Sequence, residues 1–131
     1  MRKILQYLLL LTVLLSACGN SVSEKDLEGK WIYKKVSHLK ENPPLIQEGA
    51  ELQKKHPYLV ITGENKLTIF SEDKVLSEGT YRLEGDIIRY EEVLEGGMKR
   101  KIPFLIKKLE TNKLTFETMD NNTIQIVAEK E

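Results

Sequence analysis

The chain has 131 residues, of which 40% are hydrophobic, and its 20 basic residues balance its 20 acidic ones. This length leaves room for one domain, and a net charge of zero gives no electrostatic signal for nucleic acid. The single cysteine excludes an internal disulfide.

The N-terminus has the features of an export signal. Met1-Arg2-Lys3 is followed by residues 4–15, which are apolar with three exceptions. This run is shorter than the roughly 20 apolar residues that a membrane-spanning helix needs. It ends in Leu15-Ser16-Ala17-Cys18, which resembles the lipobox of bacterial lipoproteins. In that family the cysteine is acylated and becomes the first residue of the mature protein.

The lipobox resemblance implies a division of the chain and a cellular address. Residues 1–17 would be the signal peptide, 18–25 a tether or the frayed start of the domain, and 26–131 the domain itself. Two acyl chains on Cys18, at about 0.8 kcal/mol per buried methylene, would hold an exported protein stably in the bacterial envelope. Gly19 does not match the aspartate signal for inner-membrane retention, which implies the outer membrane in a Gram-negative host.

From Gly29 onward, apolar and polar residues alternate between turn residues, and all but one of the connections are of hairpin size. The pattern predicts an all-β fold of about eight strands, as an antiparallel up-and-down barrel or as a sandwich of the same strands. Pro103 cannot donate to a ladder, so we expect a bulge or a local opening of the barrel near it. The predicted strands are Gly29 to Leu39, Tyr58 to Thr62, Lys66 to Phe70, Val75 to Leu83, Ile87 to Leu94, Arg100 to Leu109, Leu114 to Thr118 and Thr123 to Ala128.

The long connection, from Lys40 to Pro57, follows the first predicted strand. Pro43-Pro44 ends that strand, and the spacing of Leu45, Ile46, Ala50 and Leu52 predicts a short amphipathic helix. Long connections in compact domains are often lids or binding loops. The alternative is a helix that plugs one end of the barrel with Ile46 and Leu52.

The segment Leu27-x-Gly29-x-Trp31, followed by up-and-down strands, resembles the lipocalin superfamily. Repeats of the form found at residues 79–88 are similar to those of short bacterial lipocalin-like lipoproteins. The resemblance implies that Trp31, after the tight approach at Gly29, seals the floor of the barrel and is structural.

The residue types that carry chemistry are not arranged for catalysis. His38 and His56 have no local carboxylate or thiolate, which makes a poor metal site. We expect Ser71, Ser77, Glu91 and Glu92 in turns or on outward faces, with no base to activate them. The sequence therefore predicts a protein that is not an enzyme, with no metal and no cofactor.

Aromatic side chains on the predicted inward faces are the remaining candidates for function. They could line a cavity for a small hydrophobic or amphipathic ligand, or they could fill the barrel outright. The first hypothesis is a tethered binding module. The second is a filled scaffold or inhibitor that contacts another envelope protein through its loops. In both we expect a monomer that reaches the membrane through its lipid and binds no nucleic acid. The candidate lining residues are Tyr33, Tyr81, Tyr90, Phe104 and Phe116.

Overall fold

The computed structural model describes residues 22–131 as a closed antiparallel barrel of eight strands, with one additional strand and short helices. The prediction of an all-β fold is confirmed. Within residues 22–131 the two α-helices, α1 and α2, are Glu24–Leu27 and Gly49–Gln53, and a 3-10 helix spans Glu95–Gly97. The strands are β1 Gly29–His38, β2 Leu45–Glu48, β3 Tyr58–Ile61, β4 Lys66–Ser71, β5 Lys74–Glu84, β6 Ile87–Val93, β7 Lys99–Leu109, β8 Lys113–Thr118 and β9 Ile124–Lys130.

Pairing between the first and last strands decides between the barrel and the sandwich. Strands β3 to β9 pair in chain order, and β1 pairs with both β3 and β9. The β1–β9 ladder runs from Trp31 opposite Lys130 to His38 opposite Ile124. The sheet therefore closes on itself, which leaves no free edge along this seam.

Strand β1 has different partners along its two halves. Its first half, as far as Ile32, pairs with β3, and its second half pairs with β2. The β1–β9 register shifts between Tyr33 and Lys35, which places a bulge at Lys34. Helix α2 lies at this change of partner, where the Gln53 side chain donates a hydrogen bond to the Tyr33 carbonyl oxygen at 3.1 Å.

The long connection contains the predicted short helix, α2, but the helix is shorter than predicted. Leu45 and Ile46 lie in strand β2 and not in a helix, and each is 47% exposed. Gly49, at a φ of 64°, ends the strand and begins α2. Of the two side chains expected to plug the barrel, Leu52 is buried in the core and Ile46 is not.

The prediction for Pro103 holds in part. The β6–β7 ladder passes through Arg89 opposite Pro103 without a shift, and the bulge lies against β8 at Lys107 instead. Strand β8 reaches only as far as Phe104, so β7 has no β8 neighbour from Lys99 to Pro103. The barrel therefore opens locally where proline has no N–H to offer.

The two ends of the barrel differ. Helix α1 and the turns at 62–65, 85–86 and 110–112 form what we call the floor end. The connections at 39–44, 72–73, 94–98 and 119–123 form the loop end. Neither α-helix among the described residues has the length and apolar character of a membrane-spanning segment.

Candidate functional site

Trp31 forms the floor of the barrel. It is fully buried, and its indole N–H donates to the Leu27 carbonyl oxygen at 2.8 Å. The Lys130 ammonium lies 5.3 Å from the centre of the indole ring, which is within cation–π range. A Cβ on Gly29 would lie 2.5 Å from Lys130 Cε, so the glycine makes room for the lysine stem across the indole. Lys130 is not among the residues predicted for the floor from the sequence.

Four of the five candidate lining rings contact one another in a chain across the interior. The ring centres are 6.2 Å apart for Tyr33 and Phe116, 5.5 Å for Phe116 and Phe104, and 6.0 Å for Phe104 and Tyr90. All four side chains are buried. Burial raises the pKa of Tyr33 and Tyr90, so both phenols stay neutral at physiological pH. Rings in mutual contact occupy part of the barrel interior.

Tyr81, the fifth candidate, is also buried, but its hydroxyl finds no hydrogen-bond partner within residues 22–131. Burial is the main cause of its raised pKa, and Glu24 and Glu28 on the floor side add to the shift. Leaving a buried hydroxyl unbonded costs about 1–3 kcal/mol.

Tyr81→Phe is therefore expected to raise the free energy of unfolding by about 1 kcal/mol, measured by urea denaturation. Tyr90→Phe is the matched control, because the Tyr90 hydroxyl is hydrogen-bonded to Ser77 at 2.7 Å, and it should destabilise the barrel instead. Equal losses in both variants would contradict the assignment.

A polar cluster lies above the rings, toward the loop end. Ser77 donates to Glu92 Oε2, and the Tyr90 hydroxyl is then free to donate to Ser77. Glu92 is 7% exposed, and its Oε1 lies 2.7 Å from Nη2 of Arg100. The expectation that Ser77 and Glu92 face outward is wrong. Their strands alternate inward at these positions, and Arg100 together with the Ser77 hydroxyl compensates the buried carboxylate.

The loop end carries exposed apolar side chains, which we call the apolar rim. Within residues 22–131, the eight most exposed large hydrophobic side chains, at 40–70%, all lie in its four connections or within three residues of them. At the floor end the turns carry polar residues instead. The members of the apolar rim are Leu39, Leu45, Ile46, Val75, Leu76, Val93, Met98 and Met119.

A groove of about 500 Å³ crosses the outside of strands β5, β6 and β7. Arg82, Arg89 and Lys101 are among its lining side chains. A second concave site, of about 560 Å³, lies beside α1 at the floor end. Both are outside the barrel.

The remaining candidates do not come together. His38 ends β1, and His56 packs against the Tyr58 ring with their centres 5.3 Å apart. Within the part of the chain that the structure describes, no three histidine, cysteine, aspartate or glutamate side chains are grouped to hold a metal ion. Cys18 and the predicted signal peptide lie outside the described residues.

The barrel and its Trp31 floor are consistent with a lipocalin-like fold. Comparisons with protein-family models, with curated proteins and with solved structures find no match.

Proposed function

We propose that this chain is a lipid-anchored, lipocalin-like module of the bacterial envelope that docks another envelope protein at its loop end, without catalysing a reaction. The observation that carries the proposal is the apolar rim. Scattered single hydrophobic side chains are normal on a protein surface, but their confinement to one end marks an interaction site.

The interior supports docking over storage of a small ligand. The chain of ring contacts from Tyr33 to Tyr90 occupies the middle of the barrel, and an eight-stranded barrel has room for side chains or for one small ligand. Native mass spectrometry of the purified protein should therefore show the mass of the acylated chain alone. A stoichiometric co-purifying lipid would favour the container instead.

The rim side chains suit a protein partner with an apolar surface. Leu76 is 70% exposed and Met98 is 69% exposed, so each has most of its area available for burial. Acidic and basic side chains alternate with them at the loop tips, for example Asp73 beside Lys74. A mixed polar border around an apolar centre is typical of protein–protein interfaces.

The test is site-specific photo-crosslinking in the producing bacterium. A photoreactive residue at Leu76 or at Met98 should give the same discrete adduct, whereas one at Glu64, on a floor-end turn, should not. Adducts of equal yield at Glu64 would contradict the proposal.

Binding of the identified partner should then fall at least tenfold in the double variant Leu76→Ser/Met98→Ser. Leu76→Met is the matched control, because it keeps the apolar area, and should change the affinity less than threefold. An unchanged affinity in the double variant would remove the rim as the contact.

The lipid anchor has its own prediction. Cys18→Ser should abolish acylation and release the protein from the membrane fraction, because the proposed lipobox attaches the lipid to the Cys18 thiol. Metabolic labelling with an alkyne fatty acid, followed by detergent partitioning, measures both effects. Ser16→Ala keeps a small residue before the cysteine and should stay labelled, while a labelled Cys18→Ser protein would contradict the lipobox.

A further inference from the structure

We propose that the groove on the outer wall of strands β5 to β7 binds a linear anion that carries phosphate groups. This inference does not depend on the docking function, since the groove lies on the side wall and not on the apolar rim.

Two rows of outward side chains form the walls of the groove. Thr80, Glu91 and Lys101 lie opposite one another on the three strands and make one row. Arg82, Arg89 and Pro103 make the second row, two residues away from the first row on each strand. The residues between the rows send their side chains inward, so backbone forms the floor.

The spacing of a sheet gives the dimensions of the groove. Outward positions on one strand are about 7 Å apart, and three neighbouring strands span about 10 Å. The outer wall of a barrel is convex across its strands, so these side-chain rows are what makes the site concave. The resulting space suits a short chain of linked phosphate groups laid across the strands.

The arrangement of charges in the groove lowers the stability of the fold. Arg82 lies directly opposite Arg89, and like charges in this position destabilise a sheet. Both guanidinium groups share one oxygen of Glu84, at 3.6 and 3.4 Å, and these distances are long for ion pairs. One carboxylate cannot neutralise two guanidinium groups, so the pair retains positive charge.

The rest of the groove adds to this excess. Lys101 faces Glu91 in the other row, so three cationic groups stand against two carboxylates. The described residues carry 20 acidic side chains and 18 basic ones (20 minus Arg2 and Lys3), so the groove has the opposite sign to the described chain as a whole.

The chemistry of the two arginines favours phosphate. A guanidinium group offers a planar set of N–H donors that matches two oxygens of one phosphate. The Arg82 side chain is 75% exposed and the Arg89 side chain 40%, so both can turn donors toward a ligand. Pro103 has a short side chain, so the wall of the groove is lower at β7 than at β5 and β6. An extended ligand can enter the groove over this lower wall.

The experiment is an NMR titration of the full-length acylated protein, in neutral detergent micelles, with inorganic tripolyphosphate. Saturable shifts are expected at the backbone amides of the groove floor, at Tyr81, Tyr90 and Ile102. Arg82→Gln/Arg89→Gln should weaken binding at least tenfold. The matched control is Lys107→Gln, which removes one positive charge from an exposed site of β7 outside the groove, and it should change the affinity less than twofold.

A second arm identifies the source of the phosphate. If phosphatidylglycerol added to the micelles displaces tripolyphosphate, the ligand is a lipid headgroup, and if it does not, the ligand is a soluble or polymeric anion. Shifts that do not saturate, or an equal loss in Lys107→Gln and in the double arginine variant, would overturn the proposal. The melting temperature of Lys107→Gln should match that of the parent, because this side chain is exposed, and that of the double arginine variant should not fall, because the like-charge contact is removed.

Discussion

Replacing Trp31 with alanine is expected to lower the free energy of unfolding by about 4 kcal/mol, the largest effect of any single substitution in the floor. The Trp31 side chain is completely buried among other side chains and has no solvent-accessible surface. Its removal leaves a cavity and takes the hydrogen-bond donor away from the Leu27 carbonyl. Urea denaturation measures the change, and the melting temperature should fall by more than about 10 °C.

Trp31→Phe separates the volume of the indole from its hydrogen bond. Phenylalanine keeps an aromatic body under Lys130 but has no N–H, so a loss of about 2 kcal/mol is expected. A melting temperature of Trp31→Ala within one or two degrees of the parent would show that the floor does not depend on the indole.

Gly79→Ala is expected to cost about 3 kcal/mol, because the backbone of the neighbouring strand occupies the place of the new methyl group. An ideal Cβ at Gly79 would lie 2.0 Å from the Glu91 carbonyl oxygen and 2.9 Å from its carbon. Backbone atoms cannot turn aside as a side chain can, so the β5–β6 ladder has to shift. Urea denaturation gives the free energy, and faster amide exchange in β5 and β6 would locate the damage.

Gly63→Ala is the matched control. Its Cβ would meet the Glu28 carboxylate oxygen at 3.2 Å, and that oxygen is the end of a flexible side chain. The expected loss is below about 0.5 kcal/mol. Equal losses at Gly63 and Gly79 would mean that close strand approach is not the reason for Gly79.

The strand order followed from the sequence because the hairpin turns are short and each strand has one apolar face. Gly85 and Asn65 have the positive φ angles that their turns require. Barrel closure could not be predicted in the same way, because it joins β1 to β9 across most of the chain. No local pattern distinguishes that pairing from two stacked sheets.

The errors at Ser77 and Glu92 have a specific cause. The alternation that places Tyr81 and Tyr90 inward also places Ser77 and Glu92 inward. Residue type predicts the opposite orientation for Glu92, because a buried carboxylate is costly unless it is paired. The partner that resolves the conflict, Arg100, is on the next strand and is found only once the register is known.

The same two-residue alternation predicts that the Lys130 side chain lies on the inward face of β9. Ile126 and Ala128 point inward, and Lys130 follows two residues after Ala128. The solvent exposure of the apolar rim, in contrast, cannot be predicted from the sequence pattern. A leucine at a strand end looks the same whether it is buried or exposed.

Helix α1 packs on the opposite end of the barrel from the apolar rim, and this determines how an acylated chain would stand on its bilayer. Covalent geometry limits the five Cα–Cα steps from Cys18 to Ser23 to a reach of about 18 Å, whereas the 11 residues of β5, tilted by about 40°, give the wall a height of about 25–30 Å. The lipid would therefore hold the floor against the headgroups, and the hydrophobic crown would point outward into the aqueous compartment. A molecule held in this way would present its exposed leucine and methionine side chains to proteins in that compartment.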